Sequence, residues 1–292
     1  MLDDPRHRSP QLMGILNVNV DSFSDPRAGR AEGPAASGLV QEGLELWEAG
    51  ASVVDVGAES ASPATPVLDA ASELEALLPV LEGLHRADVA TSVDTYKPEV
   101  ARGCVAAGTS IVNDYTGLQH PELAGICADG GARLVLTHNP PGAKNKVLDA
   151  DRHEDVIADV RAWFEKMIAE VEVQGLPAER LLLDPGIDLA KTPAQSIALL
   201  QGLPQLVELD VPLLVAVSRK DFIGALTASR PGERDPGTLA ALAHLAEVPE
   251  VLVRVHDVAG AAQYLRVADA LAGRIPVPRD LSLAPELRRQ RT

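Results

Sequence analysis

Val211-Pro-Leu-Leu-Val-Ala-Val-Ser-Arg-Lys-Asp-Phe-Ile-Gly224 is an apolar run that ends abruptly in charge. Leu213 to Val217, bounded by Pro212 and Ser218, has the length and continuity of a parallel strand buried on both faces. Arg219 and Lys220 follow at its carboxyl end, and Phe222-Ile-Gly224 opens a helical turn. Two cations at the end of a buried strand are costly unless an anion meets them. Three other apolar runs end in acids or amides: Ser92-Val-Asp94, Ile111-Val-Asn-Asp114 and Leu181-Leu-Leu-Asp184. The pattern points to one polar ligand held where several strands end.

Working outward, the same grammar repeats. Strands are predicted at Leu12–Asn17, Ser52–Gly57, Val89–Asp94, Ser110–Asn113, Ala132–Thr137, Leu181–Asp184, Leu213–Val217 and Val251–His256. Between them lie helical stretches near Ala35–Ala49, Asp69–Leu84 and Glu122–Ala128, and one with Pro98 in its first turn and Gly108 past its end. Val156, Val160, Trp163, Met167 and Val171 form one face of a long helix from Glu154 to Gln174. Thr192-Pro-Ala-Gln195 is a capping box. Helices near Gly237–Leu245 and Val258–Leu271 complete the set. Strand and helix alternating eight times predict a single-domain (β/α)₈ TIM barrel spanning 11–275. Met1–Pro10 reads as a lead-in and 276–292 as a tail. An open doubly wound sheet is the alternative, but no Gly-x-Gly-x-x-Gly turn follows the first strand. Loops 18–33, 58–68 and 139–151 are long and polar.

The 292 residues carry 46% hydrophobic but only 3% aromatic side chains, so the core is built from Leu, Val, Ile and Ala. A net charge of −16 would repel a phosphate backbone, which argues against nucleic acid as a partner. Cys104 and Cys127 have no zinc spacing and form no disulfide framework. No run reaches membrane-spanning length, and the first residues are no secretory signal, so a cytoplasmic protein with no membrane partner is expected.

In such barrels the site lies at the carboxyl ends of the strands. Those ends offer Asn17, Glu59, Asp94, Asn113, His138, Asp184, Ser218 with Lys220, and Arg254 with His256. Any one of these would pass as a cap or loop residue. Crowded together, they must satisfy one another or a ligand. Asp94, Asn113 and Asp184 suit a flat heterocycle with several N–H donors, and Lys220 suits its carbonyl or ring nitrogen. Arg254, His256 and Asn17 form a second, anion-facing group. Arg presents a planar fork to phosphate, and Asn17 can serve as an oxygen ligand to Mg²⁺.

Met13-Gly-Ile-Leu-Asn-Val18, Asp21-Ser-Phe-Ser-Asp25, Asp55-Val-Gly57, Glu59-Ser60, Ser92-Val-Asp-Thr95, Val112-Asn-Asp114, Leu183-Asp-Pro-Gly186, Ser218-Arg-Lys220 and Arg254-Val-His-Asp257 resemble, in order, the motifs of dihydropteroate synthases. The resemblance implies a homodimeric barrel acting in folate biosynthesis. It implies transfer of 6-hydroxymethyl-7,8-dihydropterin diphosphate to p-aminobenzoate or a related amine, with release of diphosphate and use of Mg²⁺. It places Asp94, Asn113, Asp184 and Lys220 on the pterin, Arg254 and His256 on the diphosphate, and Asn17 on the metal and diphosphate. Lys220, Arg254 and His256 would then be the catalytic side chains.

The chain departs from the family pattern around the acceptor. A threonine is Ala61, an arginine is Ser62, and the Gly-Phe-Gly-Lys after Asp-Pro-Gly is Asp188-Leu189-Ala190-Lys191. The serine after Ser-Arg-Lys is Asp221, a carboxylate that would repel an acidic acceptor unless Arg219 neutralises it. A pterin-binding paralogue with little or no synthase activity is therefore the competing reading. A methyltetrahydrofolate-binding methyltransferase is a third, opposed by Ser218-Arg-Lys220 and Arg254-Val-His256.

Overall fold

The computed structural model describes residues 9–18, 34–59, 67–142 and 148–288. Its strands are β1 (Gln11–Asn17), β2 (Val53–Gly57), β3 (Thr91–Asp94), β4 (Ile111–Asp114), β5 (Arg133–Thr137), β6 (Leu181–Asp184), β7 (Leu213–Ala216) and β8 (Val251–Val255). Each pairs in parallel with the next, and β8 closes onto β1. The expected closed eight-stranded barrel is what forms, and the open sheet is excluded.

The covering helices are α1 (Pro34–Glu48), α2 (Ala70–Arg86), α3 (Pro98–Ala106), α4 (Glu122–Gly130), α5 (Val156–Val173), α6 (Pro193–Val207), α7 (Asp221–Thr227), α8 (Asp235–Leu245) and α9 (Val258–Leu271). Local chemistry sets their ends. Asp69 accepts from the Ser72 amide at 2.9 Å, and the Thr192–Gln195 capping box forms as read. The helical turn after Lys220 becomes the two-turn α7, so β7 is followed by two helices. On α5 the expected face packs against the core, with Trp163 a partly buried member of it and Phe164 an added one. Phe164 is fully buried while Trp163 is only half-buried, because the buried stripe passes through Val160, Phe164, Met167 and Val171 and leaves Trp163 at its edge.

Inside the barrel, Met13, Val53, Ile111, Val135, Leu182, Leu214 and Leu252 pack into one apolar floor. Side chains alternate along a strand, so the same face reappears two residues on. There it carries Ile15, Asp55, Asn113, Thr137, Asp184, Ala216 and Arg254. The interior thus changes from oil to polar groups within one layer, toward the carboxyl ends. The outward residues Val54, Val56, Val93, Val112, Leu183, Val215 and Val253 join the larger core beneath the helices.

Cys104 and Cys127 are free and buried in that outer core, and burial pushes both thiols up to about 12. No helix among the described residues is long and apolar enough to cross a membrane.

Candidate active site

At the mouth, Arg254 is the hub. Its Nε donates to Asp55 Oδ2 at 2.6 Å, and an Nη donates to Asp94 Oδ2 at 2.9 Å. Asn113 Nδ2 donates to the same Asp55 oxygen at 3.0 Å. Four strands, β2, β3, β4 and β8, are thereby tied at one level. Burial pushes the Asp94 carboxyl up to about 7, against the charge of Arg254 and with added repulsion from Asp55. Asp55 Oδ1, Asp94 Oδ1 and Thr137 Oγ1 are buried and have no hydrogen-bond partner among the described residues. Buried acceptors of this kind are ordinarily satisfied, so their clustering on one inner face marks a ligand position.

Asp184 closes the ring from β6. Its Oδ1 accepts from the Gly186 amide at 2.8 Å, while burial raises its pKa against the charges of Lys220, Lys191 and Arg254. Gly186 has φ +72, and a Cβ there would sit 2.2 Å from the His138 carbonyl oxygen, so no other residue fits. Lys220 stands at the start of α7, turned inward by the left-handed Arg219 (φ +59). Burial lowers its ammonium, and Asp188 and Asp184 oppose that shift.

His256 lies above Arg254. Its backbone amide donates to Ser218 Oγ at 3.2 Å, which leaves the hydroxyl proton free to meet Nδ1 at 2.9 Å. That arrangement keeps the ring proton on Nε2. Burial, followed by Arg219 and Arg254, lowers the ring to about 4, so it is a neutral donor at pH 7. A groove of about 450 Å³ beside it is lined by Ile15, Asn17, Glu42, Glu45, His256 and Asp257. Asn17 is exposed, with no hydrogen bond to the described residues recorded for its amide.

The structure brings Asp94, Asn113, Asp184 and Lys220 to one end of the barrel, and it adds Arg254, which the sequence reading grouped with His256 and Asn17. Arg254 belongs to the carboxylate ring, whereas Asn17 and His256 form the rim. Of the residues expected near an acceptor, Leu189 is half-buried, and its amide donates to the Gly186 carbonyl at 2.9 Å. Asp221 turns to solvent and meets Arg234 at 3.0 Å. Arg219 does not neutralise it, because the left-handed turn directs that guanidinium onto both oxygens of Asp235. Ala61 and Ser62 lie outside the described residues. His138 faces away from the mouth, its ring 5.1 Å from Trp163 and kept neutral by burial. Glu59 is engaged by Lys97 and the Tyr96 hydroxyl at the foot of α3.

Three contributors escaped the sequence reading. Asp55 was legible, since alternation from Val53 puts it on the inner face. Asp188 and Lys191 were not, because both act from the loop after β6. The buried Lys191 ammonium donates to the His138 carbonyl at 2.8 Å and the Leu189 carbonyl at 3.0 Å.

A barrel that closes an apolar floor under a ring of carboxylates, amide and cations is a small-molecule site at the carboxyl ends of its strands. The chain belongs to the pterin binding enzyme family, whose pattern matches residues 13–256. It is 37% identical over 262 residues to the dihydropteroate synthase of Escherichia coli, covering 89% of this chain and 91% of that one. The dihydropteroate synthase of Mycobacterium leprae is 36% identical over 267 residues, covering 89% and 93%. Among solved structures, Xanthomonas albilineans dihydropteroate synthase with 4-aminobenzoic acid superimposes with a TM-score of 0.80 at 38% identity, covering 94% and 95%. The same enzyme in complex with 7,8-dihydropteroate gives 0.77 at 37%, covering 94% and 96%.

Proposed function

We propose that this protein is a dihydropteroate synthase-like transferase of folate biosynthesis. It joins 6-hydroxymethyl-7,8-dihydropterin diphosphate to p-aminobenzoate or a related amine and releases diphosphate. The observation that carries this reading is the pair of buried acceptors Asp55 Oδ1 and Asp94 Oδ1, without a hydrogen-bond partner among the described residues, on the wall that also holds Asn113 and Asp184. A pterin edge with several N–H donors would satisfy them. Lys220 supplies the cation for the ring carbonyl or nitrogen. Arg254, fixed by two carboxylates, presents a rigid edge to the bound ring, and those carboxylates face the positive charge that develops on the pterin methylene. Diphosphate leaves with the C–O bonding pair, the amine then forms the C–N bond at the cation-like methylene, and its proton passes to diphosphate or solvent. His256 Nε2–H faces the leaving group as a neutral donor.

Asn17 at the rim offers one hard oxygen donor to Mg²⁺; no cluster of three or more His, Cys, Asp or Glu among the described residues could hold a metal by itself, so the ion would lean on diphosphate and water. An ion bound there by few protein ligands would neutralise diphosphate oxygens. A cytoplasmic homodimer completes the proposal; Val267 and Leu271, exposed on α9, are apolar area that pairing could cover.

A second reading, a pterin-binding paralogue, draws support from the rim, where Leu189 and Asp221 replace an aromatic and a serine of the family pattern. One assay separates the two. Diphosphate release is followed after adding pterin diphosphate, with and without p-aminobenzoate and a panel of amines, alongside calorimetry of pterin binding. Amine-dependent release establishes the transferase. Pterin binding without release on any amine establishes the paralogue and overturns the first reading.

A further inference from the structure

Asp188 holds a carboxylate where the family pattern has glycine. Its backbone is left-handed, with φ +61, and the residue is only 9% exposed. Two elements hold the side chain. Oδ1 accepts from Ser196 Oγ at 3.0 Å, and that hydroxyl in turn accepts from the Asp188 amide at 3.1 Å. Oδ2 accepts from the Phe222 amide at 3.3 Å, in the first turn of α7. This contact matters because α7 has no cap of its own: Lys220 occupies the cap position and its side chain makes no capping hydrogen bond. The cap comes instead from the loop after β6.

The same carboxylate acts on Lys220 by charge. Burial lowers that ammonium, and Asp188 is the largest of the charges that raise it. The other charged groups facing Lys220 are Asp184 from β6, Arg254 from β8, Asp221 from α7 itself and Lys191 from the Asp188 loop, with the neutral but titratable His256 after β8. Two of these are cations that work against it. Asp188 therefore sits between the lysine's backbone support and its charge balance.

We propose that Asp188 is a positioning residue for Lys220: latched by Ser196, its carboxylate caps α7 at Phe222 and keeps Lys220 fixed and cationic at the barrel mouth. The proposal rests on the pterin-site reading of Lys220 for its functional consequence, but not for its structural test. Asp188→Asn keeps an oxygen for Phe222 and tolerates the left-handed backbone while removing the charge. Asp188→Ala removes both.

Reductively ¹³C-methylated lysines are titrated by NMR in the ligand-free protein, with Lys220 assigned by its absence in Lys220→Gln. In Asp188→Asn the Lys220 midpoint should fall by about one unit or more. In Asp188→Ala it should fall as far, and the Phe222 amide should exchange with solvent at least tenfold faster, which Asp188→Asn should not show. Pterin affinity measured against pH should lose its alkaline limb at a pH lower by the same interval. An unmoved Lys220 midpoint in Asp188→Asn overturns the proposal whatever happens to pterin. A shifted midpoint with unchanged pterin affinity at every pH leaves the latch standing and removes Lys220 from the pterin site.

Discussion

Arg254 and Asp55 are paired at 2.6 Å across the barrel, β8 to β2, with Asp55 wholly buried. The pair explains how an acidic inner wall stays folded: one guanidinium serves two carboxylates, Asp55 and Asp94. Removing one partner leaves an uncompensated buried charge, which costs about 3 kcal/mol or more. Arg254→Ala should therefore lower unfolding stability by that amount in urea at pH 7.5. Asp55→Asn with Arg254→Ala together should recover much of the loss. Strict additivity of the two single changes would show that they do not act as a pair.

The raised Asp94 carboxyl gives stability a pH signature. Its folded pKa, about 7, exceeds the ordinary 3.8, so between those values the folded state binds the extra proton. Stability then falls as pH rises from about 4 to about 7 and levels off above. Asp94→Asn removes this dependence. Relative to the unaltered protein, the variant should gain stability steadily over that window, reaching a few kcal/mol at pH 8. Melting temperatures of both proteins across pH 4 to 9 test this. Parallel curves would place the Asp94 titration at its ordinary value.

The barrel was legible because its signal is repetitive: eight apolar runs, each stopped by a polar residue and followed by a helical period. The ring residues were legible for the same reason, since Asp94, Asn113 and Asp184 all end such runs. What could not be read were distances across the barrel. Nothing local says that Arg254 reaches β2 and β3 rather than the rim beside His256. Nor does Asp188 announce itself, because its partners Ser196 and Phe222 lie 8 and 34 residues away.

His256 is expected to remain neutral through the physiological range. Burial and two neighbouring arginines lower it to about 4, and Ser218 holds Nδ1. A histidine with a depressed folded pKa contributes stability that is full above about 6.5 and is lost progressively as pH falls from there to about 4. Proton NMR of the ring should show no midpoint near 6.5 and one near 4. Ser218→Ala should free the ring without moving Arg254, and a midpoint returning toward 6.5 would mark a loosened ring. A midpoint near 6.5 in the unaltered protein would make His256 a cation toward diphosphate.

Asp221 repels an acidic acceptor only weakly. A carboxylate facing an acidic acceptor at about 4 Å would cost about 4 kcal/mol at an effective dielectric of about 20. Asp221, however, has a side chain 53% exposed, and its Oδ1 meets Arg234 at 3.0 Å. Water screens a charge so placed, and the arginine opposes it, which leaves about 1 kcal/mol or less. Asp221→Ser should therefore raise kcat/KM for p-aminobenzoate by no more than about fivefold. It should leave the uncharged p-aminobenzamide unchanged. Steady-state kinetics with pterin diphosphate and both amines decide the matter. A hundredfold gain confined to the benzoate would mean that Asp221 turns inward in the working enzyme and sets its acceptor preference.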